Sequence, residues 1–280
     1  MTTVTTPDRD PATSPKRRPP GWEAGYADRL VTWLRGLVAG AGAEGLVFGV
    51  SGGLDSAVVA GLASRAYPEA SLGLFLPCGS AERDLEDARA VAKTFSLPLE
   101  IVELDKVYET LLGAVGDAAP EPAPGRAGSG VGQTPGGPGV QREKLALANL
   151  RVRLRAVTWY YHANRLNRLV AGTGNRSELA VGYFTKFGDG AVDLLPLAHL
   201  VKAEVRELAR HLGVPEPVIA RPPTAGLWPG QTDEGEMGLT YELLDRFLWG
   251  GEVPPEVAAR IRAMGQRSEH KRRPPAVPGL

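Results

Sequence analysis

The sequence predicts an α/β protein built on a doubly wound parallel sheet with helices on both faces, and three observations carry that reading. Residues 46–50 form a short apolar run without polar alternation, the pattern of a strand covered on both sides. Two further strands, at 71–77 and 97–104, alternate with helical stretches, and such repetition marks a parallel sheet. A loop of small residues, Ser51-Gly-Gly, joins the first strand directly to a helix. Ligands of these sheets sit beyond the carboxyl ends of the strands, so a ligand is expected at that loop.

The elements follow in order. Residues 1–20 are polar and Pro-rich, with little to bury and no apolar segment of the secretory kind, and read as a disordered tail. Within 22–43, Tyr26, Leu30, Trp33, Leu34 and Leu37 recur at helical spacing, an amphipathic helix for the sheet or a partner. A helix over 54–65 follows the loop. Ser80 is the expected N-cap of a helix over 81–94, and Asp105 that of a short one reaching Leu112. Residues 116–140, with Pro120, Pro122, Pro124 and Pro135 among glycines, read as a flexible insertion in a single domain spanning 21–276. A long helix over 141–166 carries Arg151, Arg153 and Arg155 near its start. Helical residues two apart point in different directions, so at most two of these face one ligand.

Residues 167–172 are the next buried strand. It ends in a second strand-to-helix turn, Thr173-Gly-Asn-Arg-Ser-Glu178, with an acid on the following helix. The aromatic loop Tyr183-Phe-Thr-Lys-Phe-Gly-Asp-Gly190 and Asp193 read as a pocket wall. A helix over 202–211, a Pro/Gly loop over 222–233 and helices over 240–248 and 255–266 precede the basic end Glu269-His-Lys-Arg-Arg-Pro-Pro275. Such an end is a solvated tail or a phosphate clamp.

Composition sets bounds. At 280 residues, 43% hydrophobic and 23% charged, the chain can bury the core of one large domain. With 32 basic and 32 acidic side chains it lacks the cationic excess of a nucleic-acid or membrane-surface binder. The single cysteine, Cys78, rules out an internal disulfide framework and a Cys-rich zinc site. No apolar run approaches the ~20 residues of a membrane span, and a cytoplasmic location is expected.

Strand, small-residue loop and helix start make an anion site, because unpaired amides and the helix dipole favour negative charge there. The two glycines let a phosphate approach closely. A Walker loop would continue with Lys and Ser or Thr; here Asp55 stands instead. An acid in an anion site is reasonable when Mg²⁺ accompanies the phosphate, which points to pyrophosphate as the leaving group of ATP. The string from Ser51 to Ser56 resembles the loop of the ATP pyrophosphatases.

From about residue 25 to about 276 the chain resembles the ammonia-dependent NAD synthetases, whose fold is adenine nucleotide alpha hydrolase-like. The matching pieces are Ser51–Ser56, Asn149-Leu-Arg-Val-Arg153, Gly172–Glu178, Gly182–Gly190, Asp193-Leu-Leu-Pro196, Lys202, Pro223-Thr-Ala-Gly-Leu-Trp228 and the basic end. The resemblance implies that Val50, Ser51, Gly52, Gly53, Leu54, Ser56, Thr173, Lys202 and Thr224 contact ATP. It implies Asp55 and Glu178 as ligands of Mg²⁺. It assigns Arg153, Lys186, Asp193, His270 and Lys271 to deamido-NAD, and Asp55, Lys202 and Asp193 to catalysis. It further implies a homodimer, with residues 22–43 and 153–166 as candidate contacts. The insertion at 116–140 departs from compact members. The implied reaction is adenylation of the deamido-NAD carboxylate with loss of pyrophosphate, then displacement of AMP by ammonia to give NAD. Asp193 is the expected acceptor of the ammonium proton.

Glutamine-using synthetases carry an added hydrolase domain with a catalytic cysteine, so free ammonia is expected to support turnover and glutamine alone is not. The rivals are another ATP pyrophosphatase, aminating a purine nucleotide or thiolating tRNA, and a nucleotide sensor without catalysis. The neutral charge and lone cysteine argue against tRNA work. Asp55, Glu178 and Lys202 argue against a dead sensor.

Overall fold

The computed structural model describes residues 17–117, 138–228 and 230–278. At its centre is a four-stranded parallel sheet in the order β3-β2-β1-β4, from β1 (Gly45–Gly49), β2 (Ser71–Phe75), β3 (Leu99–Ile101) and β4 (Arg168–Val170). The chain steps outward from β1 through β2 to β3, then returns to lay β4 on the other side of β1. The order therefore reverses between β1 and β4, where doubly wound sheets open a crevice.

The strand at 46–50 has no polar alternation because both of its faces are covered. Leu46 and Phe48 join a core with α1 (Glu23–Gly40) and α2 (Leu54–Ala66), while Val47 joins Leu74, Tyr108 and Ala163 on the opposite face. The amphipathic helix expected within 22–43 is α1, but its buried face is turned from the one expected: Ala27, Leu30, Val31, Leu34 and Val38 are buried, Tyr26 and Leu37 are only partly buried against them, and Trp33 is exposed. After β2 come α3 (Glu82–Thr94), β3, α4 (Asp105–Asp117) and α5 (Pro138–Arg165). Beyond β4 lie α6 (Arg176–Val181), α7 (Lys202–Leu212) and α8 (Glu216–Ile219). The helices α9 (Asp233–Met237), α10 (Tyr241–Leu248) and α11 (Pro255–Arg267) pack with α6 around Met237, Tyr241 and Leu244.

Several expectations move. The N-cap of α3 is Ala81, and Ser80 lies outside; Asp84 reaches back to accept the Ala81 amide at 3.0 Å, while the Ser80 hydroxyl faces the Cys78 amide at 3.4 Å. Asp105 opens a helix longer than expected, and its carboxylate accepts the Gly79 amide at 2.8 Å. The insertion narrows from both ends, since α4 runs to Asp117 and α5 starts at Pro138; the rest lies outside the described residues. The tail largely lies outside them too. Its last part is placed: Arg18 stacks 4.3 Å from the Tyr26 ring centre and pairs with Glu204 at 3.4 Å. Short helices α8 and α9 were not read from the sequence.

Candidate active site

The loop after β1 is closed by its own serines. The Ser51 amide donates to Ser56 Oγ at 3.2 Å, the Gly53 amide to Ser51 Oγ at 3.2 Å, and the Ser56 hydroxyl to the Gly53 carbonyl at 2.9 Å. Gly52 holds φ +78°, and a Cβ there would stand 2.6 Å from the Asp84 carbonyl oxygen, so only glycine fits between this loop and α3. At α2 the N-cap is Gly53, which supplies no side-chain cap. The first amides of this largely buried helix are left for a ligand.

Across the crevice, the turn after β4 is built in the opposite sense. Asn175 caps α6 by accepting the Glu178 amide at 3.0 Å, and Glu178 Oε2 accepts the Asn175 amide at 3.1 Å. That leaves Glu178 Oε1 facing the crevice. Asn175 also donates through its side-chain amide to Asp55 Oδ1 at 2.9 Å. The two turns are thus bonded to each other.

Lys202, the first residue of α7 and 2% exposed, points its ammonium between the two acids. It pairs closely with Asp55 and reaches Glu178 Oε1 at 3.3 Å. Burial alone would lower the Lys202 pKa, but Asp55 and Glu178 outweigh it and raise the value, so the ammonium stays charged. Glu178 shifts upward as well, through burial first and then Asp55, against the pull of Lys202. The two directions conflict only if the lysine served both acids equally. It favours Asp55, and Glu178 is left short of positive charge.

These groups line a pocket of about 250 Å³ at the strand ends. Of the residues expected at ATP and metal, Val50, Ser51, Gly53, Leu54, Asp55, Ser56, Thr173, Glu178, Lys202 and Thr224 line it, and Gly52 shapes the loop from behind. The residues expected at deamido-NAD do not line it. Four of them gather around the 183–190 loop: Arg153 donates to the Lys186 carbonyl, Lys186 to the His270 carbonyl at 2.7 Å, and Lys271 to the carbonyls of Gly182 and Phe184. Asp193 stands apart, accepting the Val170 amide at 2.7 Å and the Tyr160 hydroxyl at 3.1 Å. Burial and Asp193 together push Tyr160 up to about 12.

Sequence reasoning missed part of the wall. Asp233 lines the pocket and accepts the hydroxyls of Tyr241 at 3.0 Å and Tyr183 at 3.1 Å, and burial raises its pKa. Arg221, just before the Pro/Gly loop, grips Asp84 and Asp87 of α3. An acid at a helix start and an arginine in a loop carry no local signal of such meetings.

A doubly wound parallel sheet whose switch-point crevice holds a serine–glycine loop, an uncapped helix start and a carboxylate–ammonium cluster is an adenine nucleotide alpha hydrolase-like domain of the ATP pyrophosphatase kind. The sequence profile described as NAD synthase matches residues 26–275. The chain is 49% identical over 259 residues to the NH(3)-dependent NAD(+) synthetase of Carboxydothermus hydrogenoformans, covering 92% of this chain and 98% of that protein. Its backbone superposes on the NMN synthetase of Francisella tularensis with TM-score 0.81 and 36% identity, over 92% and 99% of the two chains. For the NAD+ synthetase of Burkholderia pseudomallei the values are 0.69 and 30%, over 89% and 90%. The chain belongs to the NAD synthase family.

Proposed function

We propose that this chain catalyses the ATP-dependent amidation of deamido-NAD to NAD with ammonia, through an acyl adenylate and with release of AMP and pyrophosphate. The observation that carries the reading is the meeting of Asp55, Glu178 and Lys202 beside the uncapped start of α2. A carboxylate is a poor electrophile for ammonia, so its oxygen must first become part of a leaving group. That step brings two anions together, and the α2 amides and Lys202 offset the repulsion and the charge that develops on the phosphate oxygens. No side chain need act as a covalent nucleophile.

The donor set fits Mg²⁺. Asp55 and Glu178 offer hard carboxylate oxygens, and three acids (Asp55, Glu178 and Asp233) surround the one ammonium of Lys202, a deficit that a divalent cation would offset. Bound there, the ion would neutralise pyrophosphate as it leaves. Asn175 and the α6 cap hold both acids toward the same point, so the ligands need not be ordered when ATP arrives.

Around the 183–190 loop, Arg153, Lys186 and Lys271 form a cationic patch, with His270 beside them, whose charge suits the diphosphate of a dinucleotide. Asp193 is the proposed acceptor of the ammonium proton, with Tyr160 as its hydrogen-bonded neighbour. The reading includes a homodimer. In support, α5 leaves Val157 and Tyr161, one turn apart, 69% and 60% exposed, and α1 leaves Trp33 40% exposed. Val157→Glu with Tyr161→Glu should convert a dimer to a folded monomer in sedimentation; an unchanged mass would remove this face from the interface. A cytoplasmic location rests on the sequence reading. Among the described residues, no helix is long and apolar enough to cross a membrane.

A second reading comes from the Francisella tularensis relative, whose name points to the mononucleotide. Both acids carry the same nicotinate carboxylate, so the chemistry at Asp55 and Lys202 is unchanged and only the cationic patch would be used differently. Purified protein given ATP, Mg²⁺ and ammonia should convert deamido-NAD to NAD with AMP and pyrophosphate in equal amounts. Faster turnover of nicotinate mononucleotide would favour the second reading. ADP and phosphate as products would contradict the adenylation, and turnover on glutamine alone would contradict the use of free ammonia.

A further inference from the structure

Three cations line the pocket, and they differ in what holds them. Lys202 is shared by Asp55 and Glu178, and Arg221 is clamped by Asp84 and Asp87. Arg155 lines the same pocket with no ion pair among the described residues. Its guanidinium meets only neutral oxygens, the Leu76 carbonyl at 3.0 Å and the Ser80 hydroxyl at 3.4 Å. Burial lowers its pKa, and Cys78, Arg151, Asp84 and Asp189 act on it only through space. A guanidinium does not shed its proton in a protein, so the desolvated charge persists without an ion-pair partner among the described residues.

The neighbouring arginines of α5 are turned elsewhere, Arg151 to the Leu227 carbonyl at 2.6 Å and Arg153 to the Lys186 carbonyl. One turn beyond Arg155 on the same helix face, Trp159 also lines the pocket, and its buried indole N–H has no partner. Among the described residues, a cation without an ion pair and an indole donor without a partner thus stand four residues apart on the helix that lines one cavity, the indole nitrogen lying against Gly49.

We infer that Arg155 receives an anionic oxygen of the reactants in this pocket, either a phosphate of ATP or the carboxylate or a phosphate of the nicotinate dinucleotide. This rests on the pocket being the ATP site proposed above. The planar fork of Arg155, fixed at one edge by Leu76 and Ser80, keeps N–H groups for a bidentate or single contact.

Binding is measured separately for ATP with Mg²⁺ and for deamido-NAD, with wild type, Arg155→Gln and Arg155→Lys. Arg155→Gln should weaken one of the two anions by roughly 10- to 100-fold, the worth of a charge-assisted hydrogen bond. Arg155→Lys should restore part of that loss, since it keeps the charge without the fork. Weakened ATP names the phosphate as source, and weakened dinucleotide names its anions. Equal binding of both anions by wild type and folded Arg155→Gln overturns the inference. If the glutamine variant does not fold, a crystal structure of wild type with ATP and then with the adenylate decides: an anionic oxygen within hydrogen-bond distance of Arg155 is expected, and none in either complex refutes it. These readouts need no turnover, so loss of binding in a chain that makes no NAD would defeat the proposed activity and leave the role of Arg155 standing.

Discussion

The two strand-to-helix turns of the crevice share a backbone and differ in use. Gly53 and Asn175, the N-caps of α2 and α6, hold nearly the same extended conformation, φ −90° and ψ 165° against φ −96° and ψ 171°. At the first turn the cap has no side chain and the helix amides are left for a ligand. At the second, Asn175 and Glu178 satisfy each other, and what remains is a carboxylate oxygen. One turn offers donors and the other acceptors. A phosphate and its metal need both, and Lys202 stands where the two meet.

The largest effect should come from removing the acid that sits on the donor side. Asp55→Asn is expected to lower kcat by roughly 10²- to 10³-fold, the cost of losing one preorganised electrostatic contact, in a chain that still folds. Activity near that of wild type would separate Asp55 from the chemistry. Next comes the cation between the turns. Lys202→Met leaves two buried acids without their ammonium and should reduce unfolding free energy by about 3 kcal/mol in urea titrations. Adding Glu178→Gln to that variant should recover part of the loss; no recovery would mean that the two turns are not coupled through Lys202.

The caps themselves should then respond in opposite ways. Asn175→Ala should cost about 1 kcal/mol of stability, because α6 loses its cap. It should also reduce turnover, because Glu178 and Asp55 both lose the group that orients them. Gly53→Ala should cost less stability than Asn175→Ala, because no side-chain cap is lost, although alanine is a poorer N-cap than glycine and its Cβ would stand 3.3 Å from Ser51 Oγ. Its effect belongs in the KM for ATP, where the added methyl crowds the approach of phosphate. Equal stability losses in the two variants would erase the contrast.

What could be read in the sequence was what is local. Residues 51–56 carry the proposed phosphate loop in consecutive positions, and Glu178 follows the same logic in the second turn. The alternation of strands and helices comes from periodicity within each segment. The missed features depend on pairings the chain makes only once folded. Asp233 becomes part of the wall because Tyr183 and Tyr241 converge on it from two other elements. Arg221 meets Asp84 across 137 positions. Ser80 is displaced as N-cap because its hydroxyl is engaged by Cys78 and Arg155. The strand order, and with it the switch point, depends on where β4 docks. Nothing in residues 168–170 specifies a neighbour.

The most direct test of the central claim is a titration of pyrophosphate into the protein with and without Mg²⁺. The paired turns predict that Mg²⁺ strengthens binding in wild type and that this gain disappears in both Asp55→Asn and Glu178→Gln. A gain that survives in both variants, or pyrophosphate that binds no better with the metal, would contradict it.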